Sequence, residues 1–211
     1  MKFAHILAVA LPLMFGSSAM AGQVIQNGGF ETGTFSGWTT SSTGGSSNAF
    51  YISSATTAPM SGYATPGAET GVFYALASQT GPGSQTLSQS FTKVAGGKYI
   101  LSYDMFVNSH AAFDANNQFS RVDLLSGSTV LRNLFLGAPS ETDYKHYSFD
   151  ISNTISAAGT YQLRFLSLQN NFFQEQGVDN VSLISEVPEP VSLGLMGIGL
   201  LGLALSRRKQ K

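Results

Sequence analysis

Residues Tyr99-Ile100-Leu101-Ser102-Tyr103-Asp104-Met105-Phe106-Val107 decide the fold, because a large apolar side chain recurs at every second position. Successive side chains of a strand point to opposite faces, so a period of two buries one face of this segment. The alternation recurs at Tyr147, Phe149 and Ile151 and again at Tyr161, Leu163 and Phe165. These segments predict half-buried β-strands.

Seven further segments have strand-like composition and are bounded by Gly, Pro, Asn and Ser turns. They are residues 23–26, 49–53, 72–78, 86–93, 120–125, 129–134 and 178–184. No segment between the two chain ends has a convincing amphipathic helical period. About ten strands with turn signals every 8 to 15 residues or so predict an all-β protein, a two-sheet β-sandwich of the jelly-roll type.

Composition excludes several classes of function. The 211 residues are only 11% charged and include 23 glycines and no cysteine. Without cysteine there is no disulfide framework, cysteine-ligated zinc site, cysteine nucleophile or iron–sulfur cluster. The profile is that of an exported all-β domain.

The N-terminus has the three parts of a secretion signal. Lys2 precedes an apolar run from Ile6 to Phe15, and Ala19-Met20-Ala21 provides the small-residue cleavage pattern. We therefore predict a signal peptide over residues 1–21 and a mature chain that starts at Gly22. The alternative, an N-terminal membrane anchor, requires a longer apolar core.

The C-terminus, residues 187–211, also has three blocks. Val187-Pro188-Glu189-Pro190 is followed by an uncharged apolar stretch, residues 191–205, and by a basic tail, residues 206–211, that includes Arg207 and Arg208. The apolar stretch predicts a short transmembrane helix. A helix over 191–205 is about 22 Å long, which is shorter than the hydrocarbon core of roughly 30 Å. The basic tail would stay cytoplasmic and leave the rest of the chain outside.

This C-terminal arrangement resembles the PEP-CTERM sorting signal of Gram-negative bacteria that make exopolysaccharide. The resemblance implies an exosortase partner that processes the tail at or near Pro188-Glu189-Pro190 after transient membrane insertion. It also implies a final location at the cell surface or in the extracellular matrix. The alternative is an ordinary C-terminal membrane anchor.

Between the two ends, residues 22–186 form a segment long enough for one domain with its own core. It has six Lys and Arg residues against eleven Asp and Glu residues, so its net charge is −5. An acidic exported domain disfavours nucleic acid as a partner.

Three motifs of this domain resemble the galactose-binding-like jelly rolls of carbohydrate-binding modules. They are the opening segment from Asn27 to Trp38, the hairpin from Ala95 to Tyr103 and the last strand from Gly177 to Leu183. In that family a structural Ca²⁺ often joins the first and last strands. The resemblance implies Glu31 and Asp179 as carboxylate ligands and Gly33 as a backbone carbonyl ligand. The alternative is that Glu31 and Asp179 only cap turns or face water.

Two polar loops are the candidate ligand-binding surface. Adjacent Phe172 and Phe173 cannot both point inward from a strand, so one is expected to be exposed and available to stack on a sugar ring. Asp114 and Asn116 lie in the other loop and provide hydrogen-bonding groups for a glycan. The alternative is that both loops are simply solvated. Trp38 is expected in the core.

The sequence has no motif of a catalytic site. Only His110 and His146 remain after removal of the signal peptide, and no nucleophile elbow, zinc-protease motif or phosphate-binding loop is present. Asp104 and Asp123 would suit glycosidase chemistry only if the fold placed them roughly 5 to 9 Å apart. We therefore predict that the protein is not an enzyme, with a hydrolase as a remote alternative.

These observations favour an exported, surface-sorted, non-catalytic protein that binds exopolysaccharide. The main alternative is a structural matrix or surface-coat protein without a specific ligand. Ice binding ranks lower, because it predicts a flat and regular array of Thr or similar residues. The clustered threonines are unevenly spaced in the sequence: Thr39, Thr40, Thr43, Thr56 and Thr57.

Overall fold

The computed structural model describes residues 19–44, 50–78, 82–94 and 96–188. These residues form eleven β-strands and no helix. The strands are β1 (Ala19–Gln23), β2 (Thr39–Gly44), β3 (Tyr51–Ser53), β4 (Tyr74–Ala77), β5 (Gly83–Lys93), β6 (Lys98–Ser109), β7 (Gln118–Ser126), β8 (Thr129–Gly137), β9 (Lys145–Asp150), β10 (Gly159–Gln169) and β11 (Gln174–Pro188).

The strands are arranged in two sheets. Sheet A has the order β3-β4-β11-β6-β9, with β1 also paired to β11, and sheet B has the order β2-β5-β10-β7-β8. The pairs for which the register is described run antiparallel. The predicted all-β sandwich of the jelly-roll type is confirmed.

The strand assignment differs from the prediction at several points, two of which lie near the start of the domain. The first strand ends at Gln23, where the predicted strand 23–26 would begin, and β2 was not predicted at all. β2 consists of Thr, Ser and Gly and lacks apolar alternation, so its sequence gives no burial signal. Its strand conformation comes from pairing with β5, in which Thr39 lies opposite Ser88.

The main core lies between the two sheets, as the alternating pattern requires. Tyr103 of β6 is fully buried, and its ring centroid lies 5.3 Å from that of Phe165 on β10. Its neighbours on the inner face of β6, Leu101 and Met105, are also fully buried. Each such side chain removed from water contributes about 1.5–3 kcal/mol relative to an exposed one.

The opening segment packs into this core through two aromatic side chains. Phe30 and Trp38 are buried, with ring centroids 5.5 Å apart, and Trp38 lies 6.2 Å from Phe165. The indole N–H of Trp38 donates to the carbonyl oxygens of Gln26 and Asn27 at 3.0 and 3.1 Å. Trp38 therefore belongs to the core, as the sequence analysis expected.

Gly28 is the point at which the opening segment meets the last strand. The Val181 amide donates to the Gly28 carbonyl at 2.9 Å. A Cβ at residue 28 would lie 1.8 Å from the Val181 carbonyl oxygen, which is a backbone atom in a paired strand and cannot move aside. Only glycine fits where two backbones approach each other this closely.

Residues Ala21–Glu186 form one compact unit, and all the buried core residues of the described part of the chain lie in it. A segment with its own core and paired strands is expected to fold independently. Most of the predicted signal peptide, the transmembrane segment 191–205 and the basic tail lie outside the described residues. Within the described residues no helix is long and apolar enough to cross a membrane.

We predict that Gly28→Ala destabilises the isolated domain, residues 22–186, by about 1–3 kcal/mol or more, because the new methyl group overlaps a backbone carbonyl. Urea denaturation followed by tryptophan fluorescence measures the change. Gly22→Ala is the matched control, since its Cβ would lie 3.7 Å from the Ser185 hydroxyl, an ordinary contact. Equal stability of the two variants would contradict the close approach at Gly28.

Candidate functional site

The predicted site residues fall in two regions of the sandwich. We call the first the acidic junction: Glu31, Asp179 and the loop formed by residues 69–73. We call the second the loop end: the loops 110–117 and 170–173, together with Tyr63. Both regions lie against β11, whose first residues adjoin the loop end and whose middle carries Asp179.

Glu31 binds the backbone of the loop 69–73. Its carboxylate accepts hydrogen bonds from the amides of Val72, at 3.0 and 3.1 Å, and Phe73, at 2.9 Å. A Cβ built on Gly71 would lie 2.4 Å from the carboxylate carbon of Glu31, and Gly71 has a φ of +70°. Glu31 therefore fixes one half of the loop.

Asp179 holds the other half of the loop from the centre of sheet A. It is fully buried, and its carboxylate accepts from the amides of Glu69 and Thr70 at 3.0 and 3.2 Å and from Asn180 at 2.7 Å. Burial raises the pKa of Asp179 to about 6, and the negative charge of Glu31 adds to the rise, while the three amides oppose it. The junction therefore has an excess of negative charge.

The residues of the acidic junction can supply part of a calcium shell. A Cβ built on Gly29 would lie 3.8 Å from both an Asp179 oxygen and the Glu31 Cγ, so the two side chains approach the same point beside Gly29. Gly33, with φ of +66°, packs on Phe73 of the same loop. Among the described residues, however, no group of three His, Cys, Asp or Glu side chains could hold a metal. Backbone and amide oxygens would have to complete the six to eight ligands of Ca²⁺.

The two carboxylates considered for glycosidase chemistry lie on opposite outer faces of the sandwich. Asp104 pairs in register with Asp179 and alternates with the core residues of β6, so it faces outward from sheet A. Asp123 alternates with Val122 and Leu124 of the core and faces outward from sheet B. Their separation across two sheets, which pack about 10 Å apart, excludes them as a catalytic pair.

At the loop end, the fold brings the two predicted polar loops together. The buried Gln118 connects them: its side-chain oxygen accepts from the amides of Asn171 and Phe172 at 3.3 Å, and its Nε2 donates to the Phe172 carbonyl at 3.0 Å. The Asn170 amide also donates to the Asn117 carbonyl at 2.7 Å. The loops are thus held by hydrogen bonds.

Asp114 and Asn116 have different roles in this arrangement. The Asp114 carboxylate accepts from the Asn117 side chain at 3.0 Å and from the Asn116 amide at 2.9 Å, and these bonds hold its pKa below the ordinary value. Asp114 therefore shapes its own loop, as Asx turns do. Asn116 is exposed, and its side-chain amide faces solvent.

An aromatic row crosses the loop end. Phe172 is 51% exposed, and its ring centroid lies 5.2 Å from that of the half-buried Phe173. Phe173 lies 5.9 Å from Tyr63, which stacks on His110 at 3.6 Å. The expectation that one of the two adjacent phenylalanines is exposed is confirmed for Phe172. The row is supported at its inner end by a hydrogen-bonded pair.

That pair is His110 and Glu175, whose Nε2 and Oε2 atoms are 3.1 Å apart. The Glu175 side chain is fully buried, and burial raises its pKa, while hydrogen bonds to Ser61 and His110 lower it. Sequence analysis assigned a binding role to neither Tyr63 nor Glu175. The only sequence signal was Gln174-Glu175-Gln176, three polar residues at the start of a strand that the fold buries.

His146 is the second remaining histidine, and its side chain is mostly exposed as expected. Its Nδ1 lies 2.7 Å from Asp104, which also accepts from the Asn180 side chain at 2.8 Å. His110 and His146 thus each contact a carboxylate, on different parts of sheet A.

Comparison with known families finds one match. Residues 186–209 match the PEP-CTERM protein-sorting motif, which implies export and sorting to the cell surface. Among curated proteins there is no matching relative.

Comparison with solved structures finds β-sandwich domains. TmCBM61, solved in complex with β-1,4-galactotriose, superposes with a TM-score of 0.55 at 17% identity, over 78% of this chain and 99% of that chain. The Stig cyclase Fisc from Fischerella sp. TAU superposes with a TM-score of 0.53 at 20% identity, over 81% of this chain and 100% of that chain. The K3 adhesin domain of Lys-gingipain from Porphyromonas gingivalis W83 superposes with a TM-score of 0.51 at 18% identity, over 78% of this chain and 99% of that chain.

Identities this low establish the fold alone, since one fold supports binding modules, adhesins and enzymes. The chain combines a β-sandwich similar to carbohydrate-binding modules with a C-terminal PEP-CTERM sorting motif.

Proposed function

We propose that this protein is exported, processed by an exosortase at its C-terminal motif, and retained at the cell surface or in the extracellular matrix. There it binds polysaccharide at the loop end without catalysis. The observation that carries the proposal is the half-exposed Phe172 ring beside hydrogen-bonded polar loops. The similarity to TmCBM61, which binds a galactan oligosaccharide, supports it at the level of the fold.

The chemistry of the loop end suits a neutral or weakly charged sugar chain. The apolar face of a pyranose ring packs on an aromatic ring, and Phe172 offers such a ring to solvent. Asn116 provides an amide donor and acceptor for ring hydroxyls. Phe172 packs edge-on against Phe173, which in turn contacts Tyr63, so the platform is partly preorganised and binding loses less side-chain entropy.

A non-catalytic role is supported by the separation of the chemically capable side chains. Asp104 and Asp123 lie on opposite faces, and His110 is occupied by the buried Glu175. A hydrolytic site would need an acid and a base or nucleophile within reach of one bond. A cyclase has a similar fold, so this argument is made from the side chains.

We predict that the domain 22–186 binds a polysaccharide from a broad glycan panel, which includes the producing organism's own exopolysaccharide. Phe172→Ala should weaken this binding about tenfold or more, because it removes about 1.4 kcal/mol of stacking free energy. Isothermal titration calorimetry measures the Kd. Val94→Ala is the matched control, since Val94 is 52% exposed at a position distant in sequence from both loops, and it should leave the Kd unchanged.

Saturable binding that Phe172→Ala leaves intact would contradict the loop end as the site. A folded domain that binds no glycan of the panel would contradict polysaccharide binding and favour a structural matrix protein. Circular dichroism of each variant establishes that the fold is retained.

Processing of the tail is a separate prediction. Replacing Pro188-Glu189-Pro190 with alanines should leave the full chain unprocessed and in the membrane fraction, because the exosortase loses its recognition motif. Immunoblots of membrane, surface and medium fractions measure the outcome. Replacing Ser182 and Ser185, on the preceding strand, with alanines is the control and should not alter release. Normal release of the triple-alanine chain would contradict exosortase processing at this motif.

We also propose that the acidic junction binds a structural Ca²⁺ through Glu31 and Asp179, with a backbone oxygen of Gly33 as a further ligand. Bound calcium would supply positive charge between two carboxylates that otherwise repel each other. Support comes from the raised pKa of Asp179 and from the shared loop 69–73. An exported domain without disulfides gains stability from such a link between its first and last strands.

We predict that in EDTA the stability of the domain 22–186 falls as the pH rises from about 4 to about 6. Folded Asp179, with its pKa near 6, holds its proton more tightly than the unfolded chain, in which an Asp pKa is about 3.9. Calcium should raise the melting temperature at pH 7 and reduce this fall, since it replaces the proton of Asp179. Asp179→Asn should lose the calcium effect and keep only the smaller fall that Glu175 contributes through its own raised pKa, while Asp114→Asn should retain both effects. Equal melting temperatures in EDTA and in calcium at pH 7 would contradict the calcium site.

A further inference from the structure

Phe113 is a second exposed aromatic side chain at the loop end. It is 49% exposed, against 51% for Phe172. Every other aromatic side chain in the described part of the chain is buried or half-buried. Single exposed apolar side chains are common on protein surfaces, but exposed apolar groups gathered within a polar surface mark an interaction site.

Hydrogen bonds to Gln118 tie Phe113 and Phe172 to the same point of the fold. Asp114, the residue after Phe113, donates its amide to the Gln118 carbonyl at 2.9 Å and accepts from the Gln118 amide at 2.8 Å. The side chain of Gln118 accepts from the Phe172 amide at 3.3 Å and donates to the Phe172 carbonyl at 3.0 Å. Gln118 itself is fully buried. The two exposed rings therefore project from one hydrogen-bonded unit.

The charge of these loops restricts the partner. The loops contain no Lys or Arg, and their histidine, His110, is bonded to Glu175. The Asn117 side chain and the Asn116 amide hold the pKa of the Asp114 carboxyl below its ordinary value, so this group is charged at neutral pH. A fixed negative charge repels acidic sugars, and it also repels the anionic lipids that basic segments attract. The electrostatics therefore favour an uncharged partner.

Exposed amide side chains accompany the two rings. Asn116 and Asn171 belong to the two loops and are exposed. A side-chain amide both donates and accepts, so it can bind the hydroxyl groups at the edge of a pyranose while an aromatic ring covers the apolar face. Rings and amides together match an uncharged carbohydrate better than a lipid surface.

We propose that Phe113 is a second stacking residue and that the loop end binds a chain of uncharged sugar residues that covers both Phe113 and Phe172. This inference rests on the proposed polysaccharide binding and specifies its ligand. Once one sugar of a chain is stacked on the first ring, contact with the second ring is intramolecular, so a chain binds more tightly than an isolated sugar. Phe113 thus selects for length, and Asp114 selects against acidic chains.

Calorimetric titration of the domain 22–186 tests the ligand class. The probes are the uncharged chains dextran, galactan and xylan, the acidic chains alginate and hyaluronan, and the producing organism's exopolysaccharide. An uncharged chain should bind about tenfold more tightly than an acidic chain at low ionic strength, because the Asp114 carboxylate repels the acidic chain.

Substitution of Phe113 tests the second ring on the uncharged chain that binds. Phe113→Ala should weaken binding about tenfold, as Phe172→Ala does, and Phe113→Tyr should retain it, since a tyrosine ring can still stack. Val130→Ala is the matched control, because Val130 is 43% exposed and pairs with Leu125, at the opposite end of β7 from Gln118. The substituted side chains are exposed, so each variant should keep the wild-type melting temperature.

Chain length separates a direct contact from a supporting role. For the wild-type domain, the affinity should rise about tenfold between the monosaccharide and longer oligosaccharides of the same chain. Phe113→Ala should remove this rise and leave binding of the monosaccharide unchanged. If Phe113 only shaped the loop beside Phe172, the variant would weaken short and long ligands equally, and that result would overturn the proposal.

Unchanged binding of every chain by Phe113→Ala, with binding still weakened by Phe172→Ala, would overturn this inference and leave the proposed function standing. Tighter binding of an acidic chain would also overturn it. So would binding to vesicles of phosphatidylethanolamine and phosphatidylglycerol that Phe113→Ala abolishes, since the rings would then contact lipid. A folded domain that binds none of the probes would overturn the proposed polysaccharide binding and this inference together.

Discussion

The position of β11 is the constraint on which the rest of the structure depends. The last strand of the domain lies in the middle of sheet A, between β4 and β6, so the sheet cannot close until the end of the chain is in place. The opening segment depends on the same strand through the contact between Gly28 and Val181. Nearly the whole domain separates these two residues in the sequence, and without cysteine no disulfide holds them. Backbone complementarity and buried aromatic rings therefore help to hold the two ends of the domain together.

β11 also explains why one end of the sandwich has a polar interior. Gln174 and Gln176 alternate with outward-facing residues and point between the sheets, where both are fully buried. Gln174 donates to the hydroxyls of Ser120 and Ser167 at 2.9 and 3.0 Å on the opposite sheet. Buried polar groups need partners, and such bonds fix the position of a layer more specifically than apolar contacts do. Together with Gln118, this layer gives the loop end a hydrogen-bonded base.

The alternation from Tyr99 to Val107 was sufficient to predict β6 and the burial of its inner face, and the recurrence of strand segments between turn signals predicted the sandwich. It could not predict β2, which has no apolar side chain and becomes a strand only through its partner. In the loop end, adjacent phenylalanines and a polar composition correctly indicated exposure of Phe172. Tyr63 and Glu175 were missed because their roles arise from contacts with His110, 47 and 65 residues away, and no local pattern encodes such a contact.

The junction between the folded domain and the sorting motif has a structural consequence. Strand β11 runs to Pro188, whereas the sorting motif begins at residue 186, so the two overlap by a few residues. The last described pair between β11 and β6 joins Glu186 to Lys98. Proline has no amide hydrogen to donate to a ladder, and Pro188 is the last residue of β11. Cleavage within Pro188-Glu189-Pro190 would therefore leave every described pair between β11 and β6 in place.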